Sequence, residues 1–473
     1  MFYCNALRRP AQRLAYGIIS EMRRLVYIGS HLGYPMDKTP LGGGAMVGLQ
    51  LLRHWPQASD CEIVALGSGP QTPVPGFEYV RLPSGPDRDL VSLSELGYAA
   101  FCRAFERATT DWLLSRRGRF DPRETCVLVN DISEGPVLAE LTAAGYPVAS
   151  IWHVDVVDYF NKLYLKEVVA PESLTRLYEG SRSLGVSGAV PDVLRLVFEK
   201  QRETVVHSRR MLLPSRAMAG TVERCYGGLL AGPGAFAAKA RVVPWGVWDD
   251  GLPDAPAAAL AESLRGHYQL TPKTTVLITL SRISPEKGLH LLLEALRLAE
   301  AQGRLPEQDV CLFICGEPAF MQGRAYARKV RRAAAKLAKV RVFFPGYLDP
   351  ARKKAYFKLA HLFVSPSVHE SYGLNVVEAM NAGLAVLASD HYGVRDILDP
   401  SFGRAVAYPS LAEAPRLLSR ALADLLADPA ALRKMGLRAA AAAGAMPFSR
   451  AADRVLASCF ELLERETAVK AGA

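Results

Sequence analysis

The chain is predicted to be an α/β protein made of two doubly wound parallel-sheet domains, and three observations carry that prediction. Short apolar runs alternate with helical stretches along most of its 473 residues. The runs fall into two series separated by a stretch rich in Pro and Ala. The residues able to do chemistry lie directly after the runs, where an open parallel sheet receives its ligand.

The first series reads LVYIGS (25–30), EIVALGS (62–68), TCVLVND (125–131), VASIWH (148–153), RMLLPS (210–215) and VVPWG (242–246). The second reads VLITLSR (276–282), VCLFICG (310–316), VRVFFPG (340–346), LFVSPS (362–367), AVLAS (385–389) and AVAYP (405–409). Asp250 to Thr274 reads as linker and entry helix. The expected organisation is a first domain over 22–245, a linker over 246–269, a second domain over 270–446 and a terminal segment over 447–473. The last helix, about 448–466, carries Val455, Leu456, Phe460 and Leu463 at helical spacing. Residues 1–21 are basic but lack a signal-type apolar stretch, and Met22 opens directly into the first strand. That leader reads as a surface anchor or an overlong gene model.

Composition narrows the function. Half the residues are hydrophobic and 22% are charged, which leaves little room for long disorder. The net charge of +10 favours anionic partners: nucleotides, phosphorylated substrates or anionic lipid headgroups. No RNA- or DNA-binding motif accompanies it, so no nucleic-acid partner is expected. The eight cysteines form no CxxC, and Cys311 and Cys315 sit inside an apolar run. They read as core residues of a reducing compartment, and no metal-ligand cluster is visible. No run of eighteen apolar residues exists. The expected location is cytoplasmic, compatible with peripheral contact at an anionic inner membrane face.

Two segments of the second series point to a bound diphosphate. In Pro366-Ser-Val-His-Glu370-Ser-Tyr-Gly373-Leu-Asn-Val-Val-Glu378-Ala-Met-Asn-Ala-Gly383, a strand leads through a loop into a short helix. Gly373 permits a tight turn, and the free amides of Leu374 and Asn375 at the helix start suit a phosphate. Glu370 in the loop and Glu378 about one turn into the helix can accept hydrogen bonds from sugar or ribose hydroxyls. In Ser281-Arg282-Ile-Ser284-Pro285-Glu286-Lys287-Gly288, Ser284 is a candidate N-cap with Pro285 at the first helical position. Lys287 then falls in the first turn, where a cation is disfavoured unless an anion sits between it and the helix. Arg282 and Lys287 would clamp a diphosphate and stabilise it as a leaving group.

On these segments the chain resembles retaining glycosyltransferase family 4, whose second domain carries R-x4-K and E-x7-E motifs. Arg282/Lys287 and Glu370/Glu378 match both spacings, and the resemblance is strong from about Val242 to Gly383. It implies a GT-B fold, two Rossmann-like domains facing across a cleft. The first Glu would contact the transferred sugar and the second the ribose. The resemblance also assigns weaker signals in the first domain. Gly43 and Gly44, after Lys38-Thr-Pro-Leu-Gly42, match a loop touching the donor diphosphate and acceptor. His153, near Asp155 and Asp158, matches a His reaching the sugar. Where the family commonly has Asn-Gly-Val-Asp, this chain has Trp245-Gly246-Val247-Trp248-Asp249. The last helix would return to the first domain.

The implied reaction is transfer of a hexosyl group from a nucleotide-diphosphate sugar, UDP- before GDP-, to a hydroxyl acceptor with retention. Neither cofactor nor metal is expected, because the cations and helix dipole stand in for a metal and no Asp-x-Asp is present. The alternatives are a GT-B epimerase, which needs no external acceptor, and a non-catalytic nucleotide-sugar-binding subunit. A phosphorylase would need a pyridoxal-binding lysine, for which there is no context. The stretch 324–341 carries eight cations and no acid, and reads as the solvated face of a sheet-covering helix.

Overall fold

The computed structural model describes residues 23–35, 42–55, 61–83, 95–162, 169–186, 192–318 and 323–471. The leader 1–21 and Lys38, Thr39 and Pro40 of the glycine-rich loop lie outside the described residues.

Two parallel sheets form. The first holds β1 (Arg23–Ile28), β2 (Cys61–Gly67), β3 (Glu78–Arg81), β4 (Thr125–Val129), β5 (Val148–Ile151), β6 (Arg210–Leu213) and β7 (Ala240–Val242), in the order β3-β2-β1-β4-β5-β6-β7. The second holds β8 (Thr275–Leu280), β9 (Val310–Cys315), β10 (Val340–Gly346), β11 (Leu362–Ser365), β12 (Ala385–Ser389) and β13 (Gly403–Val406), in the order β10-β9-β8-β11-β12-β13. Strand order reverses beside β1 and beside β8. The chain leaves one side of each sheet there and returns on the other, which opens a crevice at the strand ends. β1 reaches it at Gly29 and β8 at Ser281.

The sequence pattern missed β3. Its residues EYVR are at most half-buried at the sheet edge, so no apolar run announces it. VVPWG is a strand only at its first residue. β7 stops at Val242, and Val243 to Gly246 begin the crossing to the second domain. The segment read as linker and entry helix contains the helix Asp254–His267.

The chain crosses between domains twice, side by side. Val247 N–H donates to Met446 O and Phe448 N–H to Val247 O, each at 2.7 Å. Gly246 is needed there because a Cβ would stand 2.1 Å from Met446 O. The Trp248 ring meets Phe448 edge-on at 5.5 Å, and Trp245 stacks over Phe448 at 6.1 Å. One apolar cluster therefore runs from Leu25 and Tyr27 through Trp245 and Phe448 to Ile278 and Phe313. The final helix, Phe448–Ala471, lies on the first sheet with Val455, Cys459, Phe460 and Leu463 buried. Trp55 Nε1 donates to Ala452 O at 3.0 Å, and buried Arg210 pairs with Glu461 at 3.0 Å.

Candidate active site

The second-domain segments meet at the ends of β8 and β11. Pro285–Lys287 forms a single 3-10 turn, and Gly288 turns left-handed (φ 62°) before the helix Leu289–Ala301 begins. Gly288 lies so close to β11's exit that a Cβ would fall 2.0 Å from Pro366 O. Val368 N–H donates to Glu286 O at 2.7 Å, which ties the two segments together. Ser284 takes the N-cap position of the Pro285–Lys287 turn with Pro285 at its first position, as the sequence suggests. Its backbone is extended as a cap's is, but its hydroxyl bonds the buried Glu286 carboxylate and makes no side-chain cap bond. Lys287 lies in that turn, which Gly288 separates from the long helix.

Lys287 Nζ reaches Glu370 at 2.8 Å, and the two side chains are 13% and 16% exposed. Burial works against ionising Glu370, but the Lys287 charge and hydrogen bond outweigh it and hold the carboxyl below its ordinary range. Arg282 lies beside them at the mouth of β8, half-exposed and 3.7 Å from Glu286.

Gly373 adopts φ 96° and opens the helix Leu374–Asn381. The first backbone bond of that helix runs from Val376 N–H to Gly373 O at 2.9 Å. The amides of Leu374 and Asn375 precede it and have no intrahelical acceptor. The Asn375 side chain is engaged elsewhere, donating to Leu280 O at 2.9 Å and fastening this helix to the end of β8. Glu378 pairs with Lys353 at 2.7 Å, and Lys353 belongs to the helix Pro350–Leu359. Sequence reasoning missed Lys353. Nothing in PARKKAYFKL separates it from the neighbouring Arg352 and Lys354.

The first domain faces these groups. Gly43 and Gly44 open the helix Gly43–His54. A Cβ on Gly43 would stand 2.8 Å from Leu374 Cδ1, and one on Gly44 2.8 Å from His153 Cδ2. The glycines therefore let the helix start come up to both Leu374 and His153. Asn130 fixes the histidine. Its Nδ2 donates to Gly44 O at 3.1 Å, so its Oδ1 faces Tyr27 Oη (2.8 Å) and His153 Nε2 (3.3 Å). An accepting Oδ1 requires hydrogen on Nε2, which leaves Nδ1 as an acceptor. Burial, with help from His31, pulls the His153 pKa down to about 4, so the ring is neutral at ordinary pH.

Beside His153 lies a charged group that the sequence reading did not select. Glu134 is buried and accepts from the hydroxyls of Ser30 and Tyr98, with His31 Nε2 at 3.3 Å. Burial opposes its ionisation, but His31 overrides that and lowers its pKa. Burial and the Glu134 charge push Asp131 up to about 6. Asp155 and Asp158, singled out for their nearness to His153, do other work. Asp155 caps the helix Val156–Phe160 and binds Gln201. Asp158 bridges the domains, 3.4 Å from His369, bonded to the Tyr392 hydroxyl and 3.2 Å from Lys162. Among the described residues no group of three His, Cys, Asp or Glu is placed to hold a metal ion.

Comparison with known proteins places this arrangement. Residues 262–442 match the family model for glycosyl transferases group 1. The match covers both paired motifs and Lys353. A D-inositol 3-phosphate glycosyltransferase of Segniliparus rotundus is 33% identical over 278 residues, 57% of this chain and 56% of that protein. A lipopolysaccharide 1,2-N-acetylglucosaminetransferase of Salmonella typhimurium is 34% identical over 169 residues, covering 34% of this chain and 43% of that protein. The chain thus spans about half the length of the curated relatives it matches. Solved structures extend the likeness of fold. Sucrose-phosphate synthase from Thermosynechococcus elongatus has TM-score 0.66 at 19% identity, covering 94% of this chain and all of that one. HepE from Anabaena, solved with UDP and glucose, has TM-score 0.60 at 15% identity, covering 92% and 99%. The fold is GT-B, two Rossmann-like domains across a cleft.

Proposed function

We propose that the chain is a retaining, family 4 type glycosyltransferase that moves a hexosyl group from a nucleotide-diphosphate sugar to a hydroxyl acceptor. One observation carries the reading: Arg282, the Lys287–Glu370 pair and the start of the Gly373 helix converge at the crevice, and Gly43 closes on Leu374 from the other domain. The second domain, 270–446, holds the donor, and the first, 22–245, supplies His153 and the acceptor side. UDP is the favoured base, since a neighbour of the same fold was solved with UDP and glucose.

The reaction is a front-face displacement. The acceptor oxygen bonds the anomeric carbon as the bond to the diphosphate oxygen breaks, and the departing diphosphate takes the acceptor proton. Arg282, Lys287 and the amides of Leu374 and Asn375 stabilise the growing negative charge. Glu370 and the free Nδ1 of His153 accept hydrogen bonds from sugar hydroxyls and orient the donor, and Glu378 takes the ribose. Neither cofactor nor metal is assigned a role. The proposed location is cytoplasmic, at the inner face of the membrane where the surface charge finds anionic lipid.

The test supplies UDP- and GDP-hexoses with a panel of hydroxyl acceptors and reads the anomeric configuration of the product by NMR. Retention with acceptor-dependent nucleotide release supports the reading. An inverted product contradicts it. Donor turnover without acceptor points to an epimerase, and tight donor binding without any turnover to a binding subunit.

A further inference from the structure

The helix Gly323–Ala334 turns Tyr326, Ala327, Val330 and Ala334 inward against the second sheet. Its outer face and the turn after it expose Arg324, Arg328, Lys329, Arg332, Lys336 and Lys339. Among the described residues none of these six makes an ion pair. Acids on neighbouring elements hold other partners. Glu300 accepts the backbone amides of Lys339 and Val340, Glu294 holds Arg297, and Asp309 holds Arg341. Arg331 lies over the Phe344 ring at 4.3 Å.

Such a face is unfavourable in isolation. Arg324–Arg328 and Arg328–Arg332 are like-charge pairs four residues apart, which repel on a helix surface. Arg324 sits in a first turn with no acid, where the helix dipole disfavours a cation. Among the described residues only Glu294, itself held by Arg297, lies near enough to feel the Lys336 charge, so most of this face is left for an anionic surface to complement.

We infer that this face docks the second domain onto an anionic lipid surface. The exposed residues are long, flexible cations with no aromatic among them, since Tyr326 is buried. Stacking platforms are what single-stranded nucleic acid needs, and among the described residues the outer face of this helix presents none. A broad array of point charges needs only a diffuse negative surface, to which each Lys or Arg contributes roughly fivefold in partition. This deepens the reading of an enzyme at the inner membrane face by naming the surface that meets it, and vesicle binding is read without any turnover.

The test is co-sedimentation with phosphatidylcholine vesicles with and without phosphatidylglycerol, at about 0.1 M salt, where screening acts over roughly 10 Å. The intact chain should bind only the anionic vesicles and release as salt rises. Arg328→Glu/Lys329→Glu/Arg332→Glu should lose binding by at least on the order of 100-fold with an unchanged melting temperature. The corresponding Gln triple variant gives the same test should the Glu variant misfold. Equal binding to neutral vesicles, unaltered binding by a folded triple variant, or preference for a single-stranded RNA over the anionic vesicles would each overturn the inference.

Discussion

Removing Lys287 should unmask the cost of burying Glu370. From sequence both residues sit in a loop or helix start, where truncation would be expected to change stability little. The structure alters that expectation, because the pair is 2.8 Å apart and less than one-fifth exposed. Stripping one partner from a buried pair costs about 3–5 kcal/mol, since the other charge is left without compensation. Partial exposure at the crevice lets water recover some of it, so about 2–3 kcal/mol is expected for Lys287→Ala near neutral pH. For domains of this size that is a fall of roughly 5–10 °C in melting temperature. His391 offers no substitute cation, because burial holds its pKa down to about 4. The pH dependence has a definite sign. In the parent protein the Glu370 pKa is depressed, so its contribution is present above the ordinary carboxylate pKa and is lost as pH falls through the lowered value. In the variant, burial is opposed only by the smaller His369 and His391 contributions, so the carboxyl protonates more readily and the penalty shrinks on protonation. The gap between parent and variant should therefore narrow as pH falls from about 7 and close only below the lowered parent value. Calorimetry at both ends reads it, and Lys287→Ala/Glu370→Ala should show a coupling of about 2 kcal/mol. A gap independent of pH, or additive single effects, would refute the reasoning.

Three further predictions follow from the same geometry. Gly246→Ala should destabilise by at least about 1–3 kcal/mol in denaturant titration, because its Cβ would meet Met446 O at 2.1 Å and push the two crossings apart; an unchanged midpoint would show that the crossing yields easily. Ending the chain after Met446 removes buried Phe448, Val455, Phe460 and Leu463 and uncovers the first sheet. That protein should be insoluble or inactive, and a soluble one with full turnover would mark the helix as dispensable. Transfer should survive EDTA, since the proposal gives leaving-group stabilisation to Arg282, Lys287 and the helix start; loss on chelation with recovery on adding magnesium or manganese would contradict that.

The strands were legible because those of a parallel sheet are buried on both faces and read as continuous apolar runs. β3 escaped because an edge strand of mixed burial leaves no such run. The paired motifs were legible because each lies within one short segment, so spacing alone reports it. What each member touches was not. Lys353 meets Glu378 across helices 25 residues apart in sequence, and Asn130 meets Gly44 across 86. Those contacts depend on strand order, which no local pattern encodes. Ser284 shows how far local rules reach: they place it at the N-cap of the Pro285–Lys287 turn, but they do not reveal that its hydroxyl donates to the buried Glu286 carboxylate. Glu134 and His31 were invisible for the same reason as Lys353, since only the pairing of β1 with β4 brings them together.

The central claim is that Arg282, Lys287 and the Gly373 helix form a nucleotide-diphosphate seat. Thermal shift with UDP, GDP and ADP tests it directly, on the parent protein and on Arg282→Ala. A ligand at one hundred times its Kd stabilises by about 2.7 kcal/mol. One nucleotide, UDP by this account, should raise the parent melting temperature by several degrees, and Arg282→Ala should lose most of that rise while keeping its ligand-free melting temperature. Equal stabilisation of parent and variant by UDP, or no stabilisation by any of the three, would contradict the claim.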